Sequence, residues 1–181
     1  MLSPRPPKMS PAFGRALSLW GVVAALVLAA GCQSIAERDF EPVVPQFLLE
    51  TPLQVRSATA VELPRSGVQI VVAAAPVLSE SDVRNVELVK VDLGLCVMFE
   101  FTPEGTRALM RISAANLGRR LVVTLNGRPF GARMLDGPII DGRLLTFVEL
   151  PDDELSETVV NLKRTAQEIQ TALAEGRRRK P

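Results

Sequence analysis

The stretch that decides the fold is FEFTPEGTRAL, residues 99–109, where an alternating apolar segment passes directly into a helix start. Thr102 supplies a hydroxyl just before the helix, where it accepts a hydrogen bond from the backbone of the first turn. Pro103 suits the first helical position, and Glu104 places negative charge at the positive end of the helix dipole. The sequence therefore predicts a strand that ends at Phe101 and a helix that begins after Thr102.

An apolar stripe continues this helix, and a glycine ends it. The apolar residues recur at three-to-four spacing, which predicts one buried face: Ala108, Leu109, Ile112 and Ala115. Gly118 favours the left-handed conformation that closes a helix. Arg119 and Arg120 follow, where positive charge suits the exposed carbonyl end.

Strand-like segments lie on both sides of the helix. They are residues 53–63, 68–75, 83–92, 95–101, 121–125, 129–135 and 143–150. Asn126-Gly127 is a strong signal for a tight hairpin turn. The order of elements predicts an α+β domain over residues 53–176, with a mixed or antiparallel sheet and two helices packed on one face.

A second helix follows Pro151, with acidic residues in its first turn. Its apolar residues step alternately by four and three: Leu155, Val159, Leu162, Ala166, Ile169 and Leu173. This stripe fits packing on the domain's own sheet, or a coiled-coil seam with a partner. Gly176 is expected to end the helix, and residues 177–181 are expected to form a basic tail.

The N-terminus has the layout of a secretory signal. A basic start precedes the apolar run 16–30, which at ~1.5 Å per helical residue is about 22 Å long and shorter than a ~30 Å hydrocarbon core. The small residues at 29–31 before Cys32 resemble the lipobox of bacterial lipoproteins, although Ala29 stands where that family usually has leucine. The resemblance implies a signal peptide over residues 1–31 and a lipid on Cys32.

Two alternatives stay open at this terminus: ordinary signal cleavage at the same bond, and retention of the apolar run as a short anchor. The lipoprotein interpretation places the chain in a bacterial cell envelope, facing the periplasm. By family analogy, Gln33 after the cysteine favours the outer membrane over the inner one. Residues 32–52 are expected to be an extended tether because three prolines interrupt them, with Phe47–Leu49 as a weak candidate for docking.

Composition excludes most catalytic and metal-binding chemistry. The 181 residues contain no histidine and two cysteines, Cys32 and Cys96, which excludes Ser-His-Asp or Cys-His catalysis, histidine-based zinc ligation and a four-cysteine metal site. The 21 Lys and Arg against 20 Asp and Glu leave a net charge of +1, and 4% of the residues are aromatic. No nucleic-acid surface or stacking platform is expected from these values. We therefore expect no enzyme activity, cofactor or metal.

The remaining polar clusters have ordinary structural explanations. The acids at 152–154 and 157 suggest a metal or acid–base site, but capping of the last helix explains them better. Arg119-Arg120 is a weaker candidate anion site, and Arg177–Lys180 is a candidate for anionic lipid headgroups. Cys96 lies in an apolar stretch, where an inert buried thiol is expected.

Four blocks of the sequence resemble the head subdomain of the first periplasmic domain of SecD. They are PVLSESDVRN (76–85), FEFTPEGTRAL (99–109), NLGRRLVVTLNGR (116–128) and GPIIDGR (137–143). The family shows, in this order, a loop, a strand ending in T-P-E-G, a helix ending in N-x-G-R/K-R, L-A-I-x-L-D-G, and P-I-x-x-G. The resemblance covers about residues 68–166 and implies the fold of that subdomain.

Departures from the family limit what is carried over. SecD is a multi-span accessory protein of the translocase that uses proton flow, whereas no membrane span is expected here after the signal, hence no motor. The family's A-P-V-I segment is GARML at 131–135, and its D-G turn is Asn126-Gly127. The matched Thr102, Gly118 and Asn126-Gly127 have structural roles. The resemblance does imply contact with emerging unfolded polypeptide, the role ascribed to the family's head.

Two functions remain. The first is a membrane-anchored binding module that captures extended polypeptide, or a Sec-type export partner, through an open sheet edge. The alternative is a structural or assembly lipoprotein that docks one protein partner with its last helix. The oligomeric state stays open.

Overall fold

The computed structural model describes residues 40–53 and 57–179. The predicted signal peptide, the predicted lipid site at Cys32 and the end of the basic tail lie outside the described residues. No helix among the described residues is long and apolar enough to cross a membrane.

Eight strands, two α-helices and one 3-10 turn make up the described part of the chain. The strands are β1 (Pro45–Leu49), β2 (Ala58–Glu62), β3 (Gln69–Ala73), β4 (Val83–Val91), β5 (Gly94–Phe101), β6 (Arg120–Leu125), β7 (Arg128–Met134) and β8 (Arg143–Thr146). The helices are α1 (Pro103–Ala115) and α2 (Asp152–Arg178), and the 3-10 turn (Glu80–Asp82) precedes β4. Every strand pair is antiparallel, so the α+β class is confirmed.

The strands form three small sheets, ordered β1-β6-β7, β4-β5-β8 and β2-β3. A bridge between Gly131 and Val148 joins the two three-stranded sheets, and one between Glu50 and Val72 joins the β2–β3 hairpin to the end of β1. The turn between β6 and β7 has left-handed φ angles at Asn126 (48°) and Gly127 (79°). These are the conformations that a tight hairpin turn requires, as predicted.

The structure differs from the predicted organisation at β1. The sequence predicts a tether over residues 32–52, but residues 45–49 form a strand that pairs with β6. The predicted docking of Phe47–Leu49 is confirmed within this strand: Phe47 is fully buried, with its ring edge-on to Phe99 at 5.3 Å between centroids. The folded unit accordingly begins at Phe40 rather than at residue 53. The prolines lie outside the strand or at its first residue, where the missing amide hydrogen is tolerated.

The main core is shared by both three-stranded sheets and both helices. Its buried residues include Phe47 of β1, Val123 of β6, Phe99 of β5, Leu144 of β8, Leu109 of α1, and Leu155 and Leu162 of α2. Burying large apolar side chains in this way is the principal stabilising contribution to the domain.

The start signal of α1 is confirmed, and the helix ends slightly before the predicted stop at Gly118. Thr102 Oγ1 accepts a hydrogen bond from the Gly105 amide at 3.1 Å, which satisfies one unpaired donor of the first turn. The last helical residue is Ala115, and Asn116 is the C-cap, with its Nδ2 donating to the Ile112 carbonyl at 2.9 Å. Gly118 has the predicted left-handed φ, 78°, but in the turn after the helix, where its amide donates to the Leu135 carbonyl at 2.8 Å.

The last helix packs on the domain through its first half. Leu155, Val159, Leu162 and Ala166 are buried, whereas Leu173 is 39% exposed. The expectation that Gly176 ends this helix is wrong, because α2 continues through it to Arg178. No backbone clash or left-handed φ marks Gly176, so nothing there interrupts the helix.

The β2–β3 hairpin makes a second, smaller cluster. Leu63, Ile70 and Val72 are buried together with Val122 of β6, and Leu48 and Ala132 pack at the rim. Val122 alternates with core-facing Leu121 and Val123 along β6, so the hairpin lies on the face opposite the main core. The central β1-β6-β7 sheet is therefore covered on both faces.

Candidate interaction surface

The outer edge of β2 is an open strand edge. Its partner β3 lies on one side, and none of the other described residues pairs with its backbone on the other side. The hairpin ladder is fixed at its ends by the bond from the Leu63 amide to the Val68 carbonyl, 3.0 Å, and from the Ala74 amide to the Ser57 carbonyl, 2.9 Å. Residues that bond the partner strand alternate, so the amide and carbonyl groups of Ala58, Ala60 and Glu62 point away from β3.

The side chains along this edge are small and nearly uncharged. β2 reads ATAVE, and Thr59 and Ala60 are exposed. Natural edge strands are usually protected from further pairing by lysine, proline or a bulge. β2 has none of these features and pairs with β3 in unbroken register. Its backbone is therefore accessible to another extended chain.

The outer edges of β1, β4 and β7 each have at least one contact with another described segment. β1 bonds Leu78 through the Phe47 amide (3.0 Å), and the Val77 amide donates to Phe47 in return. The last helix packs along β4, where Gln170 Nε2 donates to the Val83 carbonyl at 2.9 Å. β7 and the segment after β8 meet at the bond from the Glu149 amide to the Phe130 carbonyl.

A carboxylate from a distant part of the chain fixes the turn of the hairpin. Glu149 Oε2 accepts from the Arg65 amide (3.0 Å) and the Ser66 amide (2.8 Å), and Oε1 accepts from the Ser66 hydroxyl (2.7 Å). Burial raises the pKa of Glu149, but the hydrogen bonds from Ser66 and Arg65 outweigh it and leave the pKa below its ordinary value. The carboxylate thus holds the hairpin in place while it is ionised.

An ion pair joins the residue after β1 to the first residue of β6, close to the bridge between Glu50 and Val72 of the hairpin. Arg120 donates from Nη2 and Nε to the two oxygens of Glu50, at 2.8 and 3.0 Å, and its amide donates to the same carboxylate at 2.8 Å. The side-chain hydrogen bond from Arg120 lowers the pKa of Glu50, with a smaller opposing effect of burial. The guanidinium of Arg120, one of the two residues of the predicted anion site, is thus already paired with Glu50. Arg120 therefore has a structural role.

A shallow apolar groove lies on the outer face of the β4-β5-β8 sheet. Its volume is about 320 Å³, and Leu93, Cys96, Leu145 and Phe147 are among its lining residues. Cys96 is 1% exposed, and burial raises the pKa of its thiol. The structure therefore confirms that this cysteine is buried.

A larger cleft of about 620 Å³ separates the end of α2 from the start of α1. Three of its four charged lining side chains have partners among the described residues, the exception being Arg177. Asp82 accepts from the Ser79 amide at 2.9 Å, and Arg84 pairs with Glu100 at 3.4 Å. Glu104 pairs with Arg107 at 3.2 Å. A ligand in this cleft would therefore meet side chains of both charges, most of which already have partners.

The other predicted clusters fall in three places. Asp152, Asp153 and Glu154 occupy the first turn of α2, where negative charge complements the helix dipole, but the N-cap is Pro151 and no side chain caps this helix start with a hydrogen bond. Arg177 and Arg178 belong to the last turn of that helix rather than to a separate tail. Cys32 lies outside the described residues. Within the described ranges, no group of three or more His, Cys, Asp or Glu could hold a metal ion.

Sequence reasoning predicts an open edge without locating it, and it misses the role of Glu149. The alternation of Val61, Leu63, Ile70 and Val72 does indicate which face of the hairpin is buried. Which residues of β2 point outward depends on the hairpin register, and this register can be predicted only when the length of the turn is known. Glu149 lies more than eighty residues from Ser66 in the sequence, and no local signal joins them.

Comparison with known proteins identifies the fold. No protein-family model matches this sequence, and no curated protein matches it. A crystal structure of SecDF in its super-membrane-facing form matches 68% of this chain with a TM-score of 0.52 and 19% identity, over 19% of its own length. A structure of SecDF, described as a membrane component that enhances protein export, matches 90% of this chain and 71% of its own, with a TM-score of 0.52 and 18% identity.

This chain therefore has a SecD-like fold, as the sequence blocks predicted. At such identities the similarity shows the fold alone. The SecDF chain in the super-membrane-facing form is about five times longer than the part matched here.

Proposed function

We propose that this chain is a non-catalytic, lipid-anchored envelope protein whose SecD-like domain binds extended polypeptide along the outer edge of β2. The open edge carries the proposal. Ala58, Ala60 and Glu62 each direct an amide and a carbonyl away from β3, and no described residue pairs with them. An extended peptide laid beside β2 completes up to six main-chain hydrogen bonds.

The chemistry of this edge sets the kind of ligand. Recognition rests on backbone groups, which every polypeptide carries, and the small side chains at Ala58 and Ala60 leave room for a neighbouring strand. We expect weak binding, with a dissociation constant of roughly micromolar to millimolar. The affinity should depend little on salt, because main-chain pairing is not ionic.

Two observations favour a role beside protein export. One similar structure is described as a membrane component that enhances protein export. The sequence blocks at 76–85, 99–109, 116–128 and 137–143 resemble the head subdomain of SecD in particular. On this proposal the domain holds emerging, unfolded segments, and it acts without the membrane motor of SecD.

The anchor is the second part of the proposal. A lipid on Cys32 would keep the domain at the periplasmic side of the envelope, with the outer membrane favoured by Gln33. Cys32→Ser should abolish labelling with a clickable fatty acid and leave an uncleaved or soluble chain. Equal labelling of the wild type and this variant would remove the lipoprotein proposal and leave peptide capture standing.

Peptide capture is tested by titrating the isotope-labelled full chain, in detergent micelles, with a blocked seven-residue peptide in which valine alternates with threonine. Amide resonances of residues 58–62 should shift, while those of α2 should not. A peptide with proline at its centre should bind more weakly by about tenfold or more, because proline has no amide hydrogen to donate to the strand ladder. No shift at millimolar peptide would overturn the proposal.

A matched pair of variants locates the site. Ala60→Pro removes an outward amide that has no partner in the hairpin, so the fold should tolerate it, as edge strands tolerate proline. Ala60→Ser keeps the amide. Binding should fall about tenfold or more in Ala60→Pro and stay near wild type in Ala60→Ser. Equal affinities of the two variants would place the peptide elsewhere.

The alternative is an assembly lipoprotein that docks a single partner. The observation that favours it is the last half of α2, where the apolar stripe continues to Leu173 although that residue is 39% exposed. A pull-down from envelope extract with the tagged chain separates the two functions. Many unfolded clients favour capture, whereas one stoichiometric partner, lost in Leu173→Asp, favours assembly.

A further inference from the structure

The edge of β2 is complementary to itself. Its three outward residues are evenly spaced, with Ala60 at the centre and Ala58 and Glu62 on either side. When two such edges pair antiparallel, an outward residue of one copy lies opposite an outward residue of the other, and the two exchange hydrogen bonds. A second copy of this chain therefore meets the geometric requirement for pairing.

One register satisfies the edge fully. With a two-fold axis at Ala60, each Ala60 opposes the other, and each Ala58 opposes the Glu62 of the second copy. All three outward residues are then bonded, whereas a shift by two residues in either direction leaves one of them unpaired. This register also keeps the two Glu62 carboxylates apart, and like charges that oppose directly are destabilising.

We propose that two copies of this chain pair through β2, antiparallel and centred on Ala60, to form a symmetric dimer. The pairing joins the two hairpins into one four-stranded sheet. Because the contact is isologous, it closes at two copies and leaves no further edge at β2. It stands apart from polypeptide capture, although both use the same edge.

The strength of the pair follows from its size. A contact between two five-residue strands is much smaller than the ~800 Å² per partner that stable interfaces bury. We therefore expect a dissociation constant of roughly 0.1–1 mM in solution. Chains held on one membrane by the proposed anchor would meet at a higher effective concentration. The dimer is thus a reversible cover for the edge.

Cysteine cross-linking of the full chain in detergent micelles tests the register. In this pairing the two Ala60 Cα atoms are about 5.5 Å apart, within the range that a disulfide spans. Ala60→Cys should therefore give covalent dimer with mild oxidant or the shortest bifunctional thiol reagent. The wild type, which carries Cys32 and buried Cys96, provides the background.

Ala58→Cys and Glu62→Cys are the matched controls, since each places its thiol about 13 Å from its own symmetry mate. Alone, each should give at least about fivefold less dimer than Ala60→Cys, and mixed together they should cross-link to one another. No dimer above background for Ala60→Cys, or as much from Ala58→Cys alone, would overturn the pairing.

The alternating valine–threonine peptide separates this inference from the proposed function. If it lowers the Ala60→Cys dimer yield, both ligands use β2. If the dimer forms and the peptide neither binds nor competes, the pairing holds and capture fails. If the peptide binds and no dimer forms above background, capture holds and the pairing fails.

Discussion

The main core and the hairpin cluster lie on opposite faces of the same central sheet, but they differ in how they are held. Among the described residues, eighteen buried side chains form the main core and four form the hairpin cluster. The hairpin has in addition two polar contacts with the rest of the domain: Glu149 bonds its turn, and the Thr51 amide donates to the Val71 carbonyl at 2.9 Å.

The main core is therefore expected to be the rigid part of the domain, and the hairpin the part that is accessible to a ligand. The main core joins both helices to two sheets, so its residues are expected to unfold together. The hairpin buries little apolar surface and is expected to open locally at lower free energy. The unpaired edge belongs to this less stable region, as is common for segments that bind ligands.

The largest expected effect concerns the main core. Phe47→Ala removes a fully buried ring that contacts Phe99 and Phe101, and it should destabilise the fold by about 3–5 kcal/mol. Denaturant unfolding followed by circular dichroism measures this loss. A cost below about 1 kcal/mol would mean that β1 is not part of the cooperative unit.

Ile70→Ala is the counterpart in the hairpin cluster, where Ile70 is 1% exposed. A cavity there should cost about 2 kcal/mol or more, but mainly as local opening. Hydrogen exchange should show faster exchange at β2 and β3 and nearly unchanged protection at β5 and β6. Equal loss of protection in all four strands would show that the two regions unfold as one.

Two glycines sharpen the comparison at smaller scale. Gly118 (φ 78°) lies in the turn between α1 and β6, and Gly67 (φ 67°) lies in the hairpin turn. An added Cβ meets open space at Gly118 and only an ordinary contact at Gly67, so alanine at either position introduces mainly backbone strain of about 1–2 kcal/mol. The melting temperature should fall clearly for Gly118→Ala and much less for Gly67→Ala. Equal shifts in melting temperature would contradict the separation.

The smallest expected effect is the pH dependence of the hairpin. The pKa of Glu149 is below its ordinary value near 4.5, so its contribution is fully present above that value and is lost as pH falls through the lowered one. The Ser66 amide resonance should follow this titration. In Glu149→Gln the acid transition at Ser66 should disappear, with a cost of about 1 kcal/mol to hairpin opening. A persistent transition would assign the pH dependence to another group.

The elements that sequence reasoning predicts are those with local signals. Thr102 marks the start of α1 through the backbone of its own turn, and Asn126-Gly127 forms its hairpin from two adjacent residues. The α2 stripe likewise predicts the buried Leu155 and Leu162. Each of these depends on neighbours within a few positions.

What the sequence does not predict depends on distant partners. β1 looks like a tether because of its flanking prolines, and its pairing becomes visible only through β6. The hydrogen bonds of Glu149 to Ser66 are of the same kind. The candidate site could not be located from the sequence for the same reason. Which backbone groups of β2 point outward depends on its pairing with β3, and their exposure depends on the absence of any other described segment beside them.

The pairing of β1 with β6 also imposes an order in time on the assembly of the domain. β1 leaves the ribosome between 72 and 80 residues ahead of the positions it pairs with. At about 5–20 residues per second, the strand waits roughly 4–16 s for that partner. During this interval Phe47 and its neighbours are an apolar, unpaired segment at the leading end of the fold. Nascent chains of this protein should therefore engage holding chaperones through β1 at least until residue 125 has emerged, and for longer in a chain that is exported before it folds.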